Sequence, residues 1–183
     1  MRVISGKYKG RKLVAPTGLN TRPTLDRVKE TLFNIIAGDL PGARVLDLFA
    51  GSGQLGVECL SRGASEVVFV DGSREAINCI KQNLSFVTDK NTVLFAKYPA
   101  VLGLLCGQFD VVLLDPPFKS GIYCEVMEEL QKRNLLGDNA LVVCECDIKE
   151  EMPTNVGSLV LEKQRKAGST VSYSFYRKEE IGE

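Results

Sequence analysis

Arg44-Val45-Leu46-Asp47-Leu48-Phe49-Ala50-Gly51-Ser52-Gly53-Gln54-Leu55-Gly56 is the stretch that decides how this chain folds. Its opening is a short apolar run broken by one acid, which predicts a buried strand near 44–48. Gly51, Gly53 and Gly56 then spell G-x-G-x-x-G ahead of a helical pattern near 54–62. Glycine lets the backbone take unusual dihedrals and lets a cofactor lie directly against it, with helix N–H groups facing an anionic part. A second apolar run, Val67-Val68-Phe69-Val70, ends at Asp71, about twenty residues after the first glycine, where an acid accepts hydrogen bonds from a ribose diol. Strand, glycine loop, helix, strand and acid together predict a site for a nucleoside-containing cofactor. A dinucleotide site asks for the same glycines, so a nucleotide-dependent oxidoreductase shares the pattern. Asp47 favours another cofactor, because an acid ending the first strand would crowd a pyrophosphate but suit the cationic amine of S-adenosylmethionine.

Outward from this segment, strands and helices alternate. Strands are expected near 44–48, 66–70, 92–96, 109–114 and 140–145, with two more near 158–163 and 171–177 closing an edge. Helices fall near 54–62, 74–86, 99–105 and 121–133. That spacing implies a parallel, doubly wound α/β sheet. Ahead of it, Arg2 to Ser5 and Lys12 to Ala15 predict a small β-hairpin. Thr24 is the expected N-cap of a helix on which Leu25, Val28, Leu32, Ile35 and Ile36 recur until Gly38. Pro41-Gly42 resets the chain, so residues 1–41 form an extension and 42–183 the sheet domain.

The fourth strand, Val111-Val112-Leu113-Leu114, ends at Asp115-Pro116-Pro117-Phe118. Ligands of open α/β sheets bind beyond the carboxyl ends of the strands. The prolines stiffen this edge and turn carbonyls outward. An Asp carboxylate and a backbone carbonyl accept both hydrogens of a planar exocyclic amine, while Phe118 offers a face to the attached ring. A plain strand followed by a proline turn would also account for these four residues taken alone. Beside a site for S-adenosylmethionine they point to methylation of an amino group.

Composition narrows the setting. No apolar run approaches a membrane span and no signal-peptide segment opens the chain, so a cytoplasmic protein is expected. The six cysteines show no Cys-x-x-Cys spacing and histidine is absent, which argues against zinc and removes Ser-His and Cys-His nucleophile pairs. Cys144 and Cys146 share one face of a strand and read as small buried residues. Formal net charge is zero, yet residues 1–30 hold eight cations, Arg2, Lys7, Lys9, Arg11, Lys12, Arg22, Arg27 and Lys29, against Asp26 and Glu30. This basic opening could follow a phosphate backbone with Tyr8 available to stack, or could be a solvated hairpin.

Three segments stand out: Ile4-Ser5-Gly6-Lys7-Tyr8-Lys9-Gly10-Arg11-Lys12-Leu13, then Arg22-Pro23-Thr24 with Arg27-Val28-Lys29-Glu30-Thr31-Leu32-Phe33-Asn34, and Val45-Leu46-Asp47-Leu48-Phe49-Ala50-Gly51-Ser52-Gly53. In these segments, and over most of its length, the chain resembles the RsmD-type methyltransferases, which modify a guanine N2 amine in bacterial small-subunit (16S) ribosomal RNA. The first two segments are particular to the family; the third is shared by many methyltransferases. The resemblance implies a seven-stranded, Rossmann-like class I methyltransferase sheet whose last strand is antiparallel, with an RNA-facing N-terminal extension. It also implies catalytic Asp115, Pro116, Pro117 and Phe118, and cofactor contacts from Asp47, Phe49, Ala50, Gly51, Ser52, Gly53, Gly56, Asp71, Gly72, Ala96 and Lys97. Lys7, Lys9, Arg11, Arg22 and Arg27 would hold the RNA backbone. The chain departs from the family after the third strand, where Ala96-Lys97-Tyr98 replaces the usual acid and Lys97 cannot accept from an adenine amine. The expected substrate is ribosomal RNA, within a small-subunit particle or an assembly intermediate, and the expected protein is a monomer without metal. A non-catalytic ribosome-assembly RNA-binding protein, suggested by Lys97, and an amino-methyltransferase acting on adenine in DNA or RNA are the competing functions.

Overall fold

Apolar strands buried on both faces make the centre of the sheet. The protein, described by a computed structural model over residues 1–17, 23–117 and 121–179, pairs five strands in parallel: Arg44–Leu48 (β1), Glu66–Asp71 (β2), Lys90–Phe95 (β3), Phe109–Leu114 (β4) and Leu136–Asp147 (β5). Asn155–Val156 (β6), Leu159–Ala167 (β7) and Val171–Lys178 (β8) follow, and the spatial order is β3-β2-β1-β4-β5-β8-β7-β6. β8 runs antiparallel to both β5 and β7. The sheet therefore has eight strands rather than the expected seven. The addition is β6, two residues long and too short to leave a period in the sequence.

Side chains alternate between two faces, and each face has its own helices. Val45, Val111, Leu113, Val143 and Phe175 pack with residues of Pro23–Ile35 (α1), Gln54–Ser61 (α2) and Arg74–Asn83 (α3). Leu46, Leu48, Val112, Leu114, Val142 and Cys144 pack with Tyr123–Lys132 (α4) and a 3-10 turn at Ala100–Leu104, where a helix was expected over 99–105. α1 begins at Pro23, one residue before the expected cap Thr24, in keeping with proline's preference for the first helical position. No helix among the described residues is long and apolar enough to cross a membrane.

The expected N-terminal hairpin forms around the antiparallel bridge Arg2 to Lys12, with Val3 N donating to the Arg11 carbonyl (2.9 Å), Gly10 N to the Val3 carbonyl (2.9 Å) and Leu13 N to the Met1 carbonyl (3.0 Å), and it is anchored on α2. Ile4 and Ser5 donate their N–H groups to the Glu58 carboxylate of α2 at 2.8 and 3.0 Å, and Arg62 Nε donates to the same carboxylate at 2.8 Å. Lys7 N donates to the Ser61 carbonyl (2.8 Å) and Tyr8 N to Ser61 Oγ (2.9 Å). From α1 onward, Val28, Leu32, Phe33 and Ile36 are buried in the core shared with β1 and β4, at roughly 2 kcal/mol each. Glu58 is itself fully buried. Glu58→Ala strands Arg62 and two backbone donors, so a loss of about 3 kcal/mol is expected. Chemical denaturation measures it, and amide exchange should rise first at Ile4 and Ser5.

Candidate active site

The strand order reverses between β1 and β4, and two loops meet beyond their carboxyl ends, Phe49–Gly53 and Asp115–Pro117. In the first, Phe49 (φ 72°), Gly51 (57°) and Gly53 (74°) all take left-handed backbone. For Phe49 that costs on the order of 1 kcal/mol, and such strain concentrates at functional loops. The loop is tied down on several sides. Ala50 N donates to the Val70 carbonyl (2.8 Å), Gly53 N to the Ala50 carbonyl (2.7 Å), and Asn83 of α3 donates to the carbonyl of buried Ser52 (2.8 Å). Asp71 binds the loop to β2: Oδ2 accepts from Gly51 N at 2.9 Å and Oδ1 from Ser73 N at 2.8 Å. Each of these oxygens keeps a further lone pair for a hydroxyl.

Gly56 lets α2 lie against the sheet, since a Cβ there would sit 2.2 Å from Phe69 Cε1 and 3.0 Å from Asp47 Oδ2. Asp47 is 2 % exposed and its Oδ2 accepts from Gly56 N at 3.0 Å. Burial pushes its carboxyl up to about 7, the Gly56 hydrogen bond pulls it down, and the negative charge of Asp71 raises it further. So enclosed, the Asp47 carboxyl offers almost no surface for direct contact. At the start of α2, Gln54 Oε1 is buried with no hydrogen-bond partner, while a Cβ built on Gly51 would meet nothing within 4 Å. An orphaned acceptor beside an open glycine cradle fits a bound group that carries donors, as S-adenosylmethionine does.

Around this cradle, Ala96 N is spent on the Asp71 carbonyl (3.1 Å). Lys97 is exposed and its stem crosses Gly72, where a Cβ would lie 2.6 Å from Lys97 Cγ. Phe49 and Tyr98 form a half-buried wall with ring centroids 6.1 Å apart, and the Tyr98 hydroxyl donates to Glu125 at 2.8 Å.

On the β4 side, Asp115 and Pro117 are exposed and Pro116 is buried; Phe118 lies outside the described residues. Desolvation by the crevice floor, then the charges of Glu145 and Asp47, hold the Asp115 carboxyl well above the usual carboxylate range, although its surface still meets water. Glu145 is not among the site residues expected from the sequence. It is an acid inside the apolar run Leu141-Val142-Val143-Cys144-Glu145-Cys146, and that misfit was its only signal. Among the described residues no group of His, Cys, Asp or Glu is placed to hold a metal.

The basic residues divide. Lys9 and Arg27 line one groove of about 410 Å³ with Arg2, which also contains Asp26 and Glu30. Lys7 Nζ is bound to Thr88 (3.0 Å) and Asp89 (3.2 Å), and Arg11 lies over Phe86 at 5.3 Å. Tyr8 is buried, its hydroxyl on Asp89 and its ring edge-on to Phe86, so the stacking face expected of it is not open to a base. Arg22 lies outside the described residues.

A sheet with five parallel strands, a glycine loop after β1 and Asp-Pro-Pro after β4 has the architecture of a class I, Rossmann-like methyltransferase. The family description "Conserved hypothetical protein 95" matches residues 1–177. The chain belongs to this family, the RsmD family. Ribosomal RNA small subunit methyltransferase D of Escherichia coli is 35 % identical over 100 % of this chain and 92 % of its own length. YlbH of Bacillus subtilis is 38 % identical over 97 % of this chain and 99 % of its own. The solved structure of yhhF from Escherichia coli superposes with a TM-score of 0.87 at 36 % identity over 98 % of both chains. SMU.776, solved in complex with SAH, shares the fold at 12 % identity, with a TM-score of 0.67 over 81 % of this chain and 49 % of its own.

Proposed function

We propose that this protein transfers a methyl group from S-adenosylmethionine to the exocyclic N2 amine of a guanine in 16S ribosomal RNA. One observation carries the proposal: Asp115-Pro116 follows β4 next to the glycine loop that follows β1, at the switch point of the sheet, where it would serve as an amine clamp. The name of the Escherichia coli relative supports a small-subunit ribosomal RNA substrate, and the SAH complex of SMU.776 supports the cofactor class.

When bound, S-adenosylmethionine supplies an electrophilic methyl group on a sulfonium. Gly51 and Gly53 would cradle it, Asp71 would accept from its ribose, and Asp47 would favour its cationic amine. Asp115 and the Pro116 carbonyl would accept the two N2 hydrogens, which draws the nitrogen lone pair out of the ring and aims it at the methyl group. Positioning does most of the work, and transfer is direct, with no covalent enzyme intermediate. The guanine must be unpaired or flipped out, at a cost of a few kcal/mol, with Phe118 as its stacking partner. Lys7, Lys9, Arg11, Arg22 and Arg27 would hold the RNA backbone. Within that set, neutralising Lys9, Arg11 and Arg27 should weaken RNA binding at low salt and flatten its salt dependence by about one for each phosphate contact removed. An unchanged slope in a salt titration would return these residues to ordinary solvated surface.

Calorimetry with S-adenosylmethionine and with NAD, followed by methylation of RNA and DNA of one sequence, tests the proposal. Binding of S-adenosylmethionine and preference for RNA are expected. NAD binding alone would restore the oxidoreductase, preference for DNA would restore an adenine target, and cofactor binding without turnover on any RNA would leave the assembly role.

A further inference from the structure

β4 and β5 are in parallel register with Leu114 opposite Cys144. One residue further, Asp115, just past the end of β4, stands beside Glu145, still within β5, on the face that also carries Asp47, Leu113 and Val143. Both carboxyl residues line one small cavity, of about 10 Å³, with Leu32 of α1, Leu55 of α2, Leu113, Leu114, Val143 and Tyr173. Tyr173, on β8 opposite Glu145, donates its hydroxyl to Glu145 Oε2 at 3.0 Å. From the other side, Tyr123 of α4 donates to the Glu145 carbonyl at 2.5 Å. Neither Lys nor Arg lines the cavity, and the remaining acid facing Asp115 is Asp47 of β1.

We propose that Glu145 is a positioning residue that acts through Asp115, the two carboxyls forming a pair that holds one proton between them. This inference rests on the amine-methylating function proposed above. Two neighbouring carboxylates on an apolar crevice floor without a cation do not both ionise readily. The Tyr173 hydroxyl stabilises the charged form of Glu145, so in the free protein the charge rests on Glu145 and the proton on Asp115. An amine docking on Asp115 needs acceptors, which draws that proton off to Glu145 or to water. During transfer the N–CH3 bond forms as the S–CH3 bond breaks with its electron pair left on sulfur. The methylated amine then carries one proton too many, which Asp115 accepts and releases to the solvent it faces. Both groups are raised by desolvation; Glu145 is pulled back by Tyr173, and Asp115 is raised further by Glu145.

The test compares wild type, Glu145→Gln and Tyr173→Phe in two readouts. Carbon-13 carboxyl NMR of the free protein follows Asp115 with pH, and kcat/KM against pH on small-subunit RNA reports the free enzyme's essential acid limb. Glu145→Gln removes the opposing charge, and Tyr173→Phe, which keeps the ring in the core, weakens the hold on the Glu145 charge. In both variants the Asp115 titration and the acid limb are expected to move together toward lower pH. An unmoved Asp115 titration, or a rate that falls equally at every pH with its limb in place, overturns the proposal. The NMR readout needs no substrate. Failure of wild type to methylate guanine would count against the function proposed above, while the titration would still decide whether the pair exists.

Discussion

Asp115→Ala is expected to lower methyl transfer by about a thousandfold, the scale of losing a positioned acceptor and its part in proton removal. The affinity for S-adenosylmethionine should stay nearly intact. The glycine cradle proposed to hold the cofactor is built from β1, β2 and α2, and its ties run among Gly51, Asp71, Ser52, Asn83, Gly56 and Asp47 without passing through Asp115. Single-turnover rates with saturating cofactor, set beside calorimetric affinity, separate the two effects. Equal loss of rate and affinity would refute the role assigned to Asp115.

Asp47→Asn is expected to move stability and cofactor binding in opposite directions. The folded protein raises the Asp47 carboxyl from 3.8 to about 7. It binds its proton more tightly when folded than when unfolded, so stability is lost as pH rises from the unfolded value through about 7 and levels off beyond. The full penalty is at most about 4 kcal/mol. Asparagine carries no such penalty and keeps an oxygen for Gly56 N, so above pH 7 the variant should resist denaturant better than wild type. Affinity for the cationic cofactor should fall, and the tightening of wild-type binding as pH climbs through about 7 should disappear. Denaturant titrations at acid and alkaline pH, each with a binding isotherm, check both halves. A variant less stable than wild type at alkaline pH would mean that the Asp47 charge supports the fold.

Such a buried acid marks where sequence periodicity stops being informative. β1, β2 and β4 are nearly continuous apolar runs because helices cover both faces, and runs of that kind separated by helical spacing made the doubly wound sheet legible. The glycine loop and Asp71 were legible because their chemistry is local to one strand-loop-helix unit. Glu145 was not. Its partner Asp115 lies on another strand, and only the parallel register of β4 and β5 brings them together. The hairpin is legible in the sequence, but the anchoring of its turn is not, for a related reason. Gly6-Lys7-Tyr8 has turn chemistry, but its groups are spent on Ser61 and Asp89, both distant in sequence. The charge of β7, with Glu162, Lys163, Arg165 and Lys166 exposed, belongs to its place near the sheet edge, where charge discourages pairing with another chain.

Transfer of labelled methyl from S-adenosylmethionine to small-subunit ribosomal RNA, bare and as assembled particles from cells lacking this protein, followed by nucleoside analysis, tests the central claim most directly. Label in N2-methylguanosine is the predicted result, since it confirms cofactor, polymer and atom at once. Label in any other nucleoside, or none on either substrate despite cofactor binding, would contradict it.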